Sequence, residues 1–281
     1  MDVVTTVADM VAARERVERP LGLVPTMGYL HAGHLALVKR ARRENRTVVV
    51  SVFVNPTQFG PNEDLGNYPR DMERDICLLR EEHVDTVFIP SQEEMYPPGC
   101  STYVEVEGMT ARLEEERRPG HFRGVATVVT KLLAIVRPDR SYFGQKDGQQ
   151  VVVIKRLNRD LNLGSQIVVV PTVREPDGLA MSSRNVYLTE EERRAAPVLY
   201  RALCHARELW EQGQRDAAAL RREMVCIINA EPLAQLEYVS IADATTLEEL
   251  GWVDCAAMVS LAVRFGKARL IDNITIPAAK D

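Results

Sequence analysis

Two histidines three residues apart, His31 and His34, sit in the segment Pro25-Thr-Met-Gly-Tyr-Leu-His-Ala-Gly-His34. In a helix that spacing puts both imidazoles on one face. A strand is expected to run into a tight turn here, and then into a helix that opens near the second histidine. Gly28 permits close approach of backbone to a ligand. The unpaired N–H groups and partial positive charge of a helix N-terminus favour an anion. Imidazoles at that place can donate to phosphate oxygens as negative charge shifts in a transition state. Spacing alone leaves two other readings open. A His-x-x-His pair can bind metal, although the Glu of a His-Glu-x-x-His motif is absent and no third ligand is evident. Two unrelated surface histidines would look the same.

Three further segments carry groups of the same kind. Asn55-Pro-Thr-Gln-Phe-Gly-Pro-Asn-Glu-Asp64 ends at Tyr68-Pro-Arg70. Its Gln58 could hold a hydroxyl or carboxylate without the quenching charge of a cation, but the composition equally suits a plain turn. Phe143-Gly-Gln-Lys-Asp-Gly-Gln-Gln150 places Gly144 at a turn and Lys146 beside a helix start, where it fits a phosphate. Asp147 either caps that helix or accepts from a ribose hydroxyl. Gln149 and Gln150 are adjacent, so only one is expected to point into a site. In Thr172–Asn185, the run Met181-Ser-Ser-Arg184 offers two hydroxyls and a guanidinium to phosphate oxygens. That segment suits a mobile closing loop as well as a polar linker.

The elements that must position these groups follow from the hydrophobic pattern. Strands are expected at Leu21–Val24, Thr47–Val54, Thr86–Ile89, Ser141–Phe143 and Gln166–Val170. Helices are expected at Ala32–Asn45 (Leu35, Val38 and Ala41 on one side), Asp71–His83, Phe122–Val136 and Gly148–Asn162. The almost continuously β-branched run Thr47–Val54 suits a parallel strand covered on both faces. This alternation predicts a doubly wound α/β domain with a parallel sheet, whose ligands sit outside the carboxyl ends of the strands. After Pro171 the pattern changes to a long helix at Thr189–Gln212, with a Thr189/Glu192 capping box, and a second at Asp216–Asn229. Strands at Leu236–Ala242, Ala257–Val263 and Leu270–Ile276 follow. A domain boundary at 171/172 separates residues 1–171 from a smaller α+β domain, 172–281.

Composition narrows the class. The 281 residues are 46% hydrophobic and 27% charged, with net charge −5, as in an ordinary globular protein. The acidic balance argues against a nucleic-acid partner. Five cysteines without Cys-x-x-Cys spacing point to reduced thiols and away from a zinc site. The N-terminal segment lacks a signal-peptide core, and no run reaches the ~18 apolar residues of a membrane span. A cytoplasmic location with no membrane association is expected.

The four segments in this order resemble the pantoate–β-alanine ligase (pantothenate synthetase) family over nearly the whole chain. Arg118-Pro-Gly-His-Phe122, Thr172–Leu188 and Arg269-Leu-Ile-Asp-Asn273 join the resemblance. Pro25–His34 resembles the His-x-Gly-His signature of the wider nucleotidyltransferase superfamily, and Met181–Arg184 resembles its KMSKS-like loop. The resemblance implies a Rossmann-like N-terminal domain holding the site, a C-terminal lid, a homodimer, and magnesium accompanying ATP. It implies pantoyl adenylate formation followed by attack of the β-alanine amine, with release of pyrophosphate and AMP. By motif it assigns Met27, Gly28, His31, His34, Gly144, Lys146, Asp147, Val173, Met181, Ser182, Ser183 and Arg184 to ATP. Gln58 and Gln150 go to pantoate. His31, His34 and Lys146 carry catalysis, with His34 as proton donor, and no residue is assigned to metal. Tyr29, Gln145 and Glu115 depart from the usual pattern, standing where a small residue, Glu and Gly respectively are frequent. Two alternatives share parts of this pattern: a nucleotidyltransferase acting on a phosphate acceptor, and a non-catalytic nucleotide-binding module.

Overall fold

The computed structural model describes residues 1–61, 63–109 and 114–278. Asn62 of the Gln58 segment and Leu113, before Glu115, lie outside the described residues. Internal contacts divide the chain into two compact units. One comprises Met1–Gly144 with Val153–Val170, the other Gln145–Val152 with Pro171–Asp281.

The first unit runs β1 (Asp2–Val4), α1 (Val7–Arg14), β2 (Leu21–Thr26), α2 (Ala32–Glu44), β3 (Thr47–Val52), α3 (Met72–Glu81), β4 (Thr86–Phe88), α4 (Gln92–Met95), α5 (Glu114–Arg117), α6 (His121–Val136) and β5 (Arg140–Gly144). The helix α7 (Gly148–Asp160) begins in the second unit and continues in the first, and β6 (Gln166–Val170) completes the sheet. All six strands are parallel, in the order β1-β4-β3-β2-β5-β6. Strand order therefore runs outward from β2 in one direction and from β5 in the other, and the topological switch point lies between them.

The β-branched run explains why this sheet is central. Val48, Val50 and Val52 join Val24, Val87 and Tyr142 on one face, packed with Leu37, Val38 and Ala41 of α2 and Leu79 of α3. Residues of opposite parity, including Leu23, Val49 and Ser51, are buried as well. Both faces are thus covered, as a parallel sheet requires. Leu37, rather than the expected Leu35, joins Val38 and Ala41 in the core.

The second unit carries α8 (Glu190–Ala195), α9 (Val198–Glu211), α10 (Ala217–Asn229) and an antiparallel sheet β7 (Gln235–Asp243), β8 (Ala257–Phe265), β9 (Ala268–Ile276). Its core joins Leu199, Leu203, Leu220 and Met224 to Val259, Leu261 and Phe265. The single helix expected over Thr189–Gln212 is two, broken at Pro197. Proline lacks the N–H and its ring crowds the carbonyl four residues back. The Thr189/Glu192 capping box is present, with reciprocal hydrogen bonds of 2.9 and 3.3 Å. Strand β1 and helix α1, which the hydrophobic pattern does not announce, add an edge strand beside β4.

Candidate active site

The histidine segment leaves the carboxyl end of β2, next to the switch point. Gly28 and Tyr29 both take left-handed conformations, with φ of 81° and 51°. The helix opens at Ala32, where the expected helix Ala32–Asn45 begins: His31 is the N-cap of α2 and His34 its third residue. His31 Nδ1 accepts the Gly33 N–H at 3.1 Å, and His34 Nδ1 accepts the His31 N–H at 3.3 Å. This is a capping box built from two imidazoles. Because each Nδ1 accepts, each neutral ring carries its proton on Nε2. The ring centroids are 4.0 Å apart.

The turn before α2 is fixed from α3. Asp75 is 1% exposed. Its Oδ2 accepts the Tyr29 N–H at 2.7 Å, and its Oδ1 the Leu30 N–H at 2.8 Å. Burial pushes this carboxyl above its ordinary range, against the pull of those two amides. Thr26 closes the turn by accepting the Gly28 N–H and donating to the Ser51 carbonyl.

Gln58 lies in a 3₁₀ turn, Pro56–Gln58, beyond the carboxyl end of β3. It is buried. Its Oε1 accepts from Asn55 at 3.0 Å and its Nε2 donates to the Met27 sulfur at 3.3 Å. Asn55 also donates to the Gly124 carbonyl and accepts from the Thr57 N–H and Tyr96 hydroxyl. These backbone partners fix the Asn55 amide, which in turn directs the Gln58 amide so that its NH₂ faces Met27. A Cβ on Gly124 would collide with the Thr57 carbonyl, so glycine there lets α6 sit against this turn. His121 donates from Nδ1 to the Gln58 carbonyl at 2.9 Å and accepts from Arg118 at Nε2. Arg118 pairs with Glu63 at 2.5 Å. Burial raises the Glu63 carboxyl, but the hydrogen bonds and charge of Arg118 outweigh it and hold the group below the ordinary range. Glu115 acts locally. Its carboxylate accepts the Gly120 and Phe122 N–H groups at 2.5 and 2.9 Å, at the start of α6.

In the second unit, a 3₁₀ turn Gln145–Asp147 leads directly into α7. Asn273 on β9 donates to the Gln145 and Lys146 carbonyls at 2.9 and 2.8 Å. Lys146 Nζ lies 3.4 Å from Asp147. Gln149 is buried and donates to the Tyr238 hydroxyl, whereas Gln150 is half-buried. The segment after Pro171 is closed at its base by the Met181 N–H to Val173 carbonyl bond and an Arg174–Ala180 bridge. Arg174 forms a two-point ion pair with Asp272, at 2.6 and 2.9 Å. Burial pushes the Asp272 carboxyl up and Arg174 pulls it back. Ser182 caps a 3₁₀ helix Ser183–Tyr187 and accepts the Arg184 N–H, and Ser183 is buried.

Of the residues expected from sequence, Met27, Gly28, His31, His34, Gln58 and Gly144 belong to the first unit. Lys146, Asp147, Gln150, Val173, Met181, Ser182, Ser183 and Arg184 belong to the second. Within the first unit the two histidines meet, as do Met27 and Gln58. Asp75, which fixes the turn before α2, is a residue that the motifs do not single out. Its one signal is a carboxylate four residues before Leu79, on the buried side of α3.

A helix start capped by two imidazoles, at the switch point of an all-parallel sheet, defines an α/β nucleotide-using enzyme of the His-x-Gly-His class. Comparison makes the assignment particular. The family model described as pantoate-beta-alanine ligase matches residues 2–275, and the chain belongs to that family. It is 59% identical to the pantothenate synthetase of Roseiflexus sp. (strain RS-1), over 99% of this chain and 100% of the relative. It is 60% identical to that of Chloroflexus aurantiacus, over 97% of each. The solved pantothenate synthetase of Thermus thermophilus superposes with a TM-score of 0.94 at 55% identity, covering 98% of this chain and 99% of that one. The Francisella tularensis pantoate-beta-alanine ligase, complexed with beta-gamma ATP and beta-alanine, gives 0.79 at 37% identity, covering 98% and 97%. The activity is ATP-dependent condensation of pantoate with β-alanine to pantothenate.

Proposed function

We propose that the condensation proceeds through pantoyl adenylate. The pantoate carboxylate attacks the α-phosphorus of ATP and pyrophosphate leaves. The neutral amine of β-alanine then attacks the acyl carbon, AMP departs, and the ammonium proton is lost. Pantoate needs no general base, because a carboxylic acid titrates near ~4 and is ionised at neutral pH. The first step is therefore alignment and neutralisation of phosphate charge. The observation that carries this reading is the imidazole capping box. With both Nδ1 atoms engaged by backbone N–H groups, His31 and His34 present Nε2–H donors at a helix N-terminus. His34 is the proposed proton donor.

Met27, Gly28 and Gly144 line the ATP site in this reading, with Lys146, Asp147, Val173, Met181, Ser182, Ser183 and Arg184. Gln58 and Gln150 hold pantoate. The orientation of the Gln58 amide, NH₂ away from Asn55, suits an oxygen-rich hydroxy acid. Magnesium would accompany ATP. Among the described residues no group of three His, Cys, Asp or Glu side chains comes together, so phosphate oxygens and water would supply most of its ligands. Residues 1–171 act as the nucleotide- and pantoate-binding domain, and 172–281 as the smaller lid. Five free cysteines support a cytoplasmic location, and no described helix is long and apolar enough to cross a membrane. A homodimer is proposed from family membership, and sedimentation tests it.

ATP–pyrophosphate exchange tests the intermediate. Exchange should require pantoate and proceed without β-alanine. Exchange without pantoate would favour transfer to another acceptor, and its absence with pantoate would refute the adenylate.

A further inference from the structure

Two neighbouring residues on β9, Asp272 and Asn273, touch both segments of the second unit that the proposed function assigns to phosphate. Both are buried. Asn273 gives both hydrogens of its amide to main-chain carbonyls, those of Gln145 and Lys146. Its Oδ1 accepts from Gln145 Nε2 at 2.7 Å. In a trans peptide the C=O and the following N–H point in opposite directions. Drawing the Gln145 and Lys146 carbonyls toward β9 therefore turns the Lys146 and Asp147 N–H groups away from it. One side chain thus sets the direction of two backbone donors on the turn that carries Lys146. The fit leaves no slack: a Cβ at Gly148 would lie 2.9 Å from Asn273 Oδ1.

Asp272 holds the other segment. It grips Arg174 at two points, and Arg174 also donates to the Gly178 carbonyl and lies 3.8 Å from the Tyr200 ring centroid. Arg174 follows Val173, whose carbonyl closes the base of the segment onto Met181. Asp272 Oδ1 additionally accepts the Asn273 N–H at 2.8 Å, so the two anchors are tied to each other.

The geometry points to Asn273 as a positioning residue for Lys146 in adenylation, with Asp272 registering the base of the Met181–Arg184 segment from the same strand. This rests on the assignment of Lys146 to the pyrophosphate of ATP. A role in mere stability would weaken both half-reactions alike, whereas a role through Lys146 weakens only the step in which pyrophosphate leaves.

The test is a double-mutant cycle on the full chain, read in two half-reactions: pantoate-dependent ATP–pyrophosphate exchange, and β-alanine transfer from preformed pantoyl adenylate. Asn273→Ala is expected to lower kcat/KM for ATP in exchange by up to roughly 100-fold, as misplacement of a group aligned on the reacting atoms does. Amine transfer should stay within about threefold. Adding Asn273→Ala to Lys146→Ala should cost no more than about twofold beyond Lys146→Ala alone, since coupled residues are non-additive. Multiplicative losses in the double variant, or equal losses in both half-reactions, would overturn the inference. Asn273→Ser keeps one donor and is expected to fall between the wild type and Asn273→Ala. It serves if the alanine variant does not fold, and a loss in exchange no smaller in the Lys146→Ala background than in the wild type again counts against the inference. If Lys146→Ala leaves exchange intact, the pyrophosphate assignment itself fails, and the inference with it, a result separate from failure of the Asn273 coupling.

Discussion

Asp75 holds the amide of Tyr29 at 2.7 Å, from a helix 46 residues further along the chain. Tyr29 has a φ of 51°, a conformation that a bulky residue rarely adopts without support. The second oxygen of the same carboxylate takes the Leu30 amide. Asp75 therefore shapes the turn that delivers His31 to the head of α2. Asp75→Asn keeps the size but leaves only one acceptor for two N–H groups. The expected result is a stability loss of about 1–3 kcal/mol and a raised KM for ATP in pyrophosphate exchange. Urea unfolding and exchange kinetics measure these, and a variant unchanged in both would show the carboxylate to be incidental.

Asp75 and Glu63 should leave opposite marks on the pH dependence of stability. Burial raises the folded-state Asp75 carboxyl. Its favourable contribution is full below the unfolded value and is lost as pH rises through the folded one. Glu63 is raised by burial but lowered on balance by Arg118. Its contribution is full above the unfolded value and is lost as pH falls through the folded one. Unfolding free energies taken from pH ~3 to ~7, across the carboxylate range, should show it. The advantage of wild type over Glu63→Gln should shrink toward acid, while that over Asp75→Asn should shrink toward neutrality. Parallel curves for the two variants would contradict the assigned directions.

Much of this architecture is legible in the sequence because period and punctuation agree with burial. The run Thr47–Val52, β-branched at every position but Ser51, suits a strand covered on both faces, and Pro171 follows directly on β6. The place of the histidine pair at a helix start is legible. The pair's capping role is not, because His is an unusual capping residue and the position of the first turn depends on Asp75, distant in sequence. The Pro197 break shows the reverse error: an apolar period continued across a residue whose missing N–H should have overridden it. Strand β1 has three residues, too few for a period, and exists through its pairing with β4. The partners of Asn273 lie 127 and 128 residues away, and no local pattern announces them.

The pantoate contact proposed for Gln58 separates substrate recognition from nucleotide chemistry. Gln58 is buried and oriented by Asn55, whose own amide is fixed by the Gly124 carbonyl and Thr57 N–H. Gln58→Ala removes a donor proposed to face the ionised hydroxy acid. Such a bond contributes about 1.5–3 kcal/mol, so the pantoate KM should rise roughly 10- to 100-fold, with the KM for ATP changed far less. Steady-state kinetics with each substrate varied in turn measure the split. A pantoate KM equal to that of the wild type would reduce Gln58 to a turn residue.

The imidazole capping box lets structure and chemistry be pulled apart at His31 and His34. Serine at the N-cap and glutamate three residues later form the commonest box of this kind, and they would satisfy the same Gly33 and His31 amides that the two Nδ1 atoms now satisfy. His31→Ser with His34→Glu should therefore keep α2 intact, with stability within about 1 kcal/mol of wild type. It would also remove both Nε2–H donors and set a carboxylate where phosphate is proposed to bind. Adenylation should fall by at least about 100-fold, the loss expected when preorganised donors are taken from a developing charge. Thermal unfolding and pantoate-dependent exchange on the same sample read the two effects separately. A folded double variant that still exchanges at the wild-type rate would leave the histidines as caps and nothing more. One that fails to fold would show that the imidazoles stabilise α2 beyond what a cap supplies. His34→Gln alone, which keeps a neutral reach-back to the His31 amide, would then carry the test of proton donation.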